Sequence, residues 1–290
     1  MPEVLQPAFM QRALLAALAV GLAAPAIGIY LVQRRLALLG DGIGHTALTG
    51  VALAALLGTS SIPTAAVVAV IGAVIIEVVR AHGRTSGDVA LALLFYGGIA
   101  GGVMLFSLAP AGSATRLTSY LFGQITTVAP HELWAIVALA TVILLLTIGL
   151  APRLFAVCHD EEFARVSGLP VSALNIGIAA SAAITVTISM RVVGVLMVSA
   201  LMVVPVATAQ LITRSFRATF ALAISLGTVA ALSGVVVSYY ADVPSGPSIV
   251  VLAIGGFAVT ATGLALAGVV RRRALRNEVT PSQMGTVGTG

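Results

Sequence analysis

Residues 36–58 read LALLGDGIGHTALTGVALAALLG, and this stretch decides the fold. It is an apolar run of membrane-span type, yet Asp41 and His45 sit near its start. Ionisable side chains in hydrocarbon are costly and are placed facing protein or a cavity rather than lipid. A segment of this kind therefore implies other spans around it. Eight more apolar runs are found outward from it, at about 9–32, 63–80, 89–109, 132–150, 172–190, 193–213, 218–239 and 247–270. Each is close to the ~20 residues that cross about 30 Å of hydrocarbon as a helix. The expected fold is an all-α integral membrane protein of about nine spans. The second span, 42–58, is the shortest and most polar, so it is expected to be partial or buried.

Composition agrees. The chain has 290 residues, 59% hydrophobic and 9% charged, with mean hydropathy +1.10. Soluble domains carry about 25% charged residues, so this chain has too few to cover a water-facing surface. The apolar runs are continuous, which excludes the alternating strands of an outer-membrane barrel. All 15 basic residues are Arg. With no Lys there is no Lys-containing phosphate loop and no Schiff-base lysine. If nucleotide powers this protein, another chain binds it. The single Cys158 cannot form an internal disulfide, and no cysteine cluster exists for structural zinc. The start, MPEVLQPAFMQR, has no basic region of the kind that opens a cleavable leader.

The Arg residues lie in short loops, so the net charge of +5 reads as a topology signal and not as a nucleic-acid surface. With the N-terminus outside and the spans alternating, Arg34, Arg35, Arg80, Arg84, Arg153, Arg165, Arg214, Arg217, Arg271, Arg272, Arg273 and Arg276 fall inside. Only Arg12, Arg116 and Arg191 fall outside. This favours an outside N-terminus and a cytoplasmic C-terminus, provided the second span crosses fully. Residues 1–276 form one transmembrane domain, and 277–290 are expected to be a disordered tail rich in Gly, Ser and Thr.

Asp41 and His45 are spaced i, i+4, which places both on one helix face, one turn apart. A carboxylate and an imidazole so placed can bind one divalent transition metal. Spacing alone also allows Asp41 to cap the helix and His45 to be a hydrogen-bonded core residue. Glu77, three residues before Arg80, reads as an intrahelical ion pair, and Asp88 as a helix cap. His82, His131 and His159 read as loop or span-end residues. The acidic run Asp160, Glu161, Glu162 opens a short amphipathic helix ended by Gly168, either a solvated loop or a docking element. Asp242, in YYADVPSGPS, reads as a turn residue, with an alternative role beside Tyr239 and Tyr240 as an outer gate.

Six stretches in order, LLGDGIGHTALTGVALAALLG, SGDVALALLFYGG, LTSYLFGQI, DEEFARVSGLPV, RVVGVLMVSALMVVPVATAQLI and DVPSGPSIVVLA, resemble the membrane permease of bacterial ABC importers for zinc, manganese or iron(II). The resemblance covers about residues 10–270. Gly42-Ile43-Gly44 departs from the more usual Ala/Leu/Ser filling. The resemblance implies a fold like that of the vitamin B12 and siderophore importers and a homodimer with its pathway on the two-fold axis. It implies a cytosolic ATPase subunit and an extracellular metal-binding lipoprotein or periplasmic protein. It also implies a bacterial plasma-membrane location. Asp41 and His45 match the family's metal transit site. Asp160, Glu161, Ala164 and Gly168 match its ATPase-coupling segment. No permanent cofactor is expected; the metal is cargo, with zinc placed first, then manganese or iron(II). The rival reading is a proton-coupled secondary transporter using Asp41 and His45 as a relay. An intramembrane enzyme finds no support, since no span holds H-E-x-x-H or a recognisable Ser/His pair.

Overall fold

The computed structural model describes residues 7–81, 87–109, 113–124 and 129–279, with side chains described except at 87–88, 113–117 and 270–279. Helices follow one another as α1 (Ala8–Gln33), α2 (Leu39–Leu57), α3 (Ser61–Ala81), α4 (Gly87–Leu108), α5 (Ser113–Phe122) and α6 (Pro130–Gly149). Then come α7 (Ala151–His159), α8 (Glu161–Val166), α9 (Val171–Ser189), α10 (Val195–Ile212), α11 (Phe216–Ala241) and α12 (Ser245–Val279). No strand occurs among the described residues. In hydrocarbon a backbone must satisfy its own hydrogen bonds, and a helix does so within one segment.

Eight of these helices are long and apolar enough to cross a membrane: α1, α3, α4, α6, α9, α10, α11 and α12. The ninth expected span forms α2, a 19-residue helix. Its surroundings are protein: α3, α4, α9 and α10 pack around it. That enclosure is what lets the chain carry an acid and an imidazole there. The most deeply enclosed span is α1, whose Ala16, Ala17, Ala23 and Ala24 are fully buried. Its small side chains let neighbours approach closely. A Cβ added at Gly21 would stand 2.8 Å from the Thr228 Cα of α11, the kind of contact that replaces hydrophobic driving force between membrane helices.

Polar contacts fix which helix ends share a face. Arg34, just after α1, lies 3.5 Å from Glu77 near the end of α3 and 3.9 Å from Glu161 at the start of α8. The Tyr30 hydroxyl donates to the Thr147 carbonyl near the end of α6 at 2.8 Å. So α1, α3 and α6 end on one face, with α8. Since α1 and α3 run the same way, α2 must run back between them, and 19 residues at about 1.5 Å each span roughly 28 Å. The second span therefore crosses, which settles the parity left open by sequence. On the opposite face, Arg191 after α9 pairs with Glu132 of α6 and stands 4.7 Å over the Tyr120 ring of α5. The Ser245 hydroxyl donates to the Val192 carbonyl at 2.6 Å, so α12 starts on that face too. The described chain thus makes nine crossings and enters and leaves the bundle on opposite faces.

The described parts of the long connections are largely helical. The semi-apolar stretch near residues 117–125 contains the end of α5, and 151–171 contains α7 and α8. The last helix reaches Val279, three residues beyond the expected start of the tail. The remainder of that tail, and His82, lie outside the described residues, as does the Asp88 side chain.

Candidate metal-transit site

Helix α2 begins two residues before Asp41, and its N-cap is Leu38, with no side-chain cap. Asp41 is therefore not the cap of its helix. It sits in the first turn, where a carboxylate is favoured by the exposed N–H groups of the helix start. His45 follows one turn on, 9% exposed. Its Nδ1 is buried without a hydrogen-bond partner. The reading of His45 as a satisfied core residue fails at this atom. Buried polar atoms are nearly all paired, so an orphan requires a reason.

The packing around His45 is close on one side. The Phe95 ring of α4 meets the imidazole edge-on at 4.6 Å between centroids. Gly98, one turn further along α4, lies against its backbone: a Cβ there would be 2.8 Å from the His45 carbonyl carbon. The Thr49 hydroxyl donates to the Gly98 carbonyl at 2.7 Å and ties the two helices together. Helix α10 covers a different side of α2, with Ser199 and Met202 against Gly40 and Val195 against Gly44. The glycines that replace the usual family filling are thus where neighbouring helices approach, at Gly42 from α4 and at Gly44 from α10. Asp41 itself is half-buried.

Among the described residues, no group of three or more His, Cys, Asp or Glu could hold a metal ion. Asp41 and His45 are a two-ligand set, one hard oxygen donor and one imidazole. Both are donor types that first-row divalent ions accept, but two of them alone would not enclose an ion. Incomplete ligation suits a transit site, which must release what it binds.

The other expected residues lie elsewhere. Asp160 caps α8, accepting from the Phe163 N–H at 2.9 Å, and Gly168 ends the turn at φ +79°. Glu161 is partly exposed and pairs with Arg165 at 3.3 Å. Ala164 is fully buried and anchors α8 to the bundle. The surface of α8 is instead made by Phe163, 66% exposed, and Val166, 89% exposed. Sequence reading overlooked both; two apolar side chains on a helix with two acids and an acidic cap were the available signal. Tyr239 and Asp242 line a cavity of about 540 Å³ on the Arg191 face, together with Phe9, Ser119 and Gln124. None of its lining residues comes from α2. Asp242 caps α11 in the left-handed region, φ +51°, as the turn reading expects. Glu77 forms the expected pair with Arg80, at 2.7 and 3.0 Å.

A nine-crossing helical bundle that encloses a half-buried acid and a buried imidazole with an unpartnered Nδ1 on one inner helix has the form of a polytopic transport permease. Residues 6–263 match the ABC 3 transport family, and the chain belongs to that family as a membrane permease subunit of ABC importers for metal ions. It is 31% identical to the manganese transport system membrane protein MntC of Halalkalibacterium halodurans over 257 residues, 89% of this chain and 88% of that one. It is 32% identical to the chelated iron transport system membrane protein YfeD of Yersinia pestis over 84% of this chain and 82% of that one. Its structure is similar to that of PsaBC from Streptococcus pneumoniae, solved with a Fab, with TM-score 0.80 and 29% identity over 88% of this chain and 91% of that one. A metal-chelate type ABC transporter, solved facing inward, shares the fold at TM-score 0.71 and 16% identity.

Proposed function

We propose that Asp41 and His45 are the transit ligands for a divalent transition metal, carried into the cytoplasm by alternating access. The observation that supports this most is the buried, unpartnered Nδ1 of His45, one turn from Asp41. A bare divalent ion in lipid faces a very large desolvation cost. A carboxylate and an imidazole inside a protein-lined bundle offset part of it. A second protomer of a homodimer, placed symmetrically, would supply a second Asp/His pair and bring the set to four.

The cargo read first from sequence was zinc. The relatives described above are named for manganese and iron, which supports manganese or iron(II) ahead of zinc; Asp/His donors accept all three. ATP hydrolysis is assigned to a separate cytosolic subunit docking on α8 through Phe163 and Val166, with Asp160, Glu161 and Gly168 shaping the docking turn. The Arg-rich face is then cytoplasmic, and so is the C-terminus. On the outer face an extracellular metal-binding protein delivers the ion, and Tyr239 and Asp242 line its entry as a gate.

The test is manganese uptake by vesicles carrying the permease with its ATPase and binding protein. Asp41→Ala and His45→Ala should each reduce uptake at least tenfold with the protein still folded. Normal uptake by both variants removes these residues from the pathway. Uptake by vesicles carrying this chain alone, driven by a proton gradient, would instead establish the secondary-transporter reading.

A further inference from the structure

A second cluster of charge lies buried outside the transit site, where α1, α3 and α8 meet. Glu77 is 3% exposed, and the Arg34 side chain is 6% exposed. Glu77 is held by Arg80 through two hydrogen bonds, at 2.7 and 3.0 Å. The Arg34 guanidinium is placed differently. Its Nη2 stands 3.5 Å from Glu77 and 3.9 Å from Glu161, and it has no hydrogen-bond partner. One buried cation therefore lies between two carboxylates without closing on either. One carboxylate belongs to a membrane helix that is already neutralised by Arg80. The other belongs to α8, a short surface helix.

The chain between Arg34 and the transit site is short and stiff. Arg35 takes a left-handed conformation, φ +58°, and turns the chain sharply. The Leu36 N–H donates to the Leu31 carbonyl at 2.8 Å, and the Leu39 N–H to the Leu36 carbonyl at 3.0 Å. Asp41 follows in the first turn of α2. A shift of Arg34 by about one ångström would complete an N–H···O bond of about 2.9 Å with either acid, and this hydrogen-bonded turn leads directly from Arg34 into the start of α2.

We infer that Arg34 is a positioning residue that links α8 to the transit helix, closing on Glu161 in one state of the pump and on Glu77 in the other. This rests on the reading of α8 as the ATPase-docking helix. Drawing α8 toward or away from the bundle changes the Arg34–Glu161 separation. The hydrogen-bonded turn at Arg35 carries that change to Asp41. A buried charge pair with two alternative partners is the kind of discrete, two-position element that can carry coupling between sites.

The experiment uses the complete importer in proteoliposomes and measures manganese uptake and ATP hydrolysis together. Arg34→Met should keep ATP hydrolysis within about twofold of the unaltered protein, and Arg34→Met and Glu161→Gln should each lower the manganese moved per ATP about tenfold. The double variant should be no worse than either single one, because both break one link. Arg165→Gln removes the other partner of Glu161 and should leave the ratio unchanged. Single variants with an unchanged ratio, or a double variant whose loss is the product of the two, overturn the link. Because Arg34 is buried, thermal unfolding of Arg34→Met is read alongside; Glu161→Gln, at a partly exposed residue, carries the test if Arg34→Met does not fold. If the unaltered protein takes up manganese without hydrolysing ATP, the importer reading has failed and not the link.

Discussion

Glu77 and His45 are both buried ionisable residues on neighbouring helices of one bundle, and they are treated in opposite ways. Glu77 is 3% exposed and bound on both oxygens by Arg80, with Arg34 close behind. His45 is 9% exposed, and its Nδ1 has no partner. The first arrangement is complete in the chain as it stands. The second leaves a buried nitrogen without a partner among the described residues. Burial alone does not separate a structural charge from a binding residue, whereas the state of its hydrogen bonds does.

That contrast is open to breaking. Glu77→Ala leaves Arg34 and Arg80 without their shared carboxylate. Removing one member of a buried ion pair typically costs about 3–5 kcal/mol, and partial access of Arg80 to water places this case at the lower end. Thermal unfolding in detergent should show a large drop; a shift no greater than that of a surface variant would mean the pair is not structural. His45, proposed as a transit ligand, should respond the other way. His45→Leu should abolish manganese uptake yet leave stability unchanged or raised by about 1 kcal/mol, because it removes an unsatisfied polar atom. If His45→Leu unfolds the protein as Glu77→Ala does, His45 is a core residue and the contrast is lost. Between these, Gly98→Val forces α4 off the His45 backbone and should reduce uptake with a stability loss of about 1–3 kcal/mol from overpacking. Uptake unchanged in a folded Gly98→Val protein would show that the α2–α4 contact does not shape the site.

How far the sequence reveals this depends on the distance over which each feature is encoded. The spans are legible because hydropathy is summed over about twenty adjacent residues. The Glu77–Arg80 pair and the short helix opened by Asp160, Glu161 and Glu162 are legible because their signals lie within a few residues. The Asp41–His45 pair is visible for the same reason, and family resemblance favours its role as a site. What separates the binding reading from the bland one is non-local: which atoms of α4 and α10 do or do not reach His45. Arg34 is the clearest omission. It reads as a topology signal beside Arg35, yet its partners lie 43 and 127 positions away, at Glu77 and Glu161. Ala164 shows the same limit: the motif places it on α8, and only the packing shows that it faces inward.

The smallest expected effect probes the completed cluster from its edge. Cys158, on α7, donates its thiol to the Tyr30 carbonyl at 3.8 Å, beside the end of α1. Burial pushes this thiol up to about 11, and the nearby Arg34 charge pulls in the opposite direction but less strongly. A raised pKa keeps the thiol protonated at neutral pH, and only the thiolate reacts with alkylating reagents. At pH 8 an ordinary cysteine of pKa about 8.5 is roughly one quarter thiolate, whereas a group near 11 is about one thousandth. Labelling by a small maleimide should therefore be about two hundredfold slower than for a free thiol, and should quicken about tenfold per pH unit up to pH 10. Arg34→Met removes the charge that lowers the pKa, so labelling should slow further, by a few fold. Faster labelling in that variant would mean that the Arg34 side chain shields Cys158 by packing and not by charge.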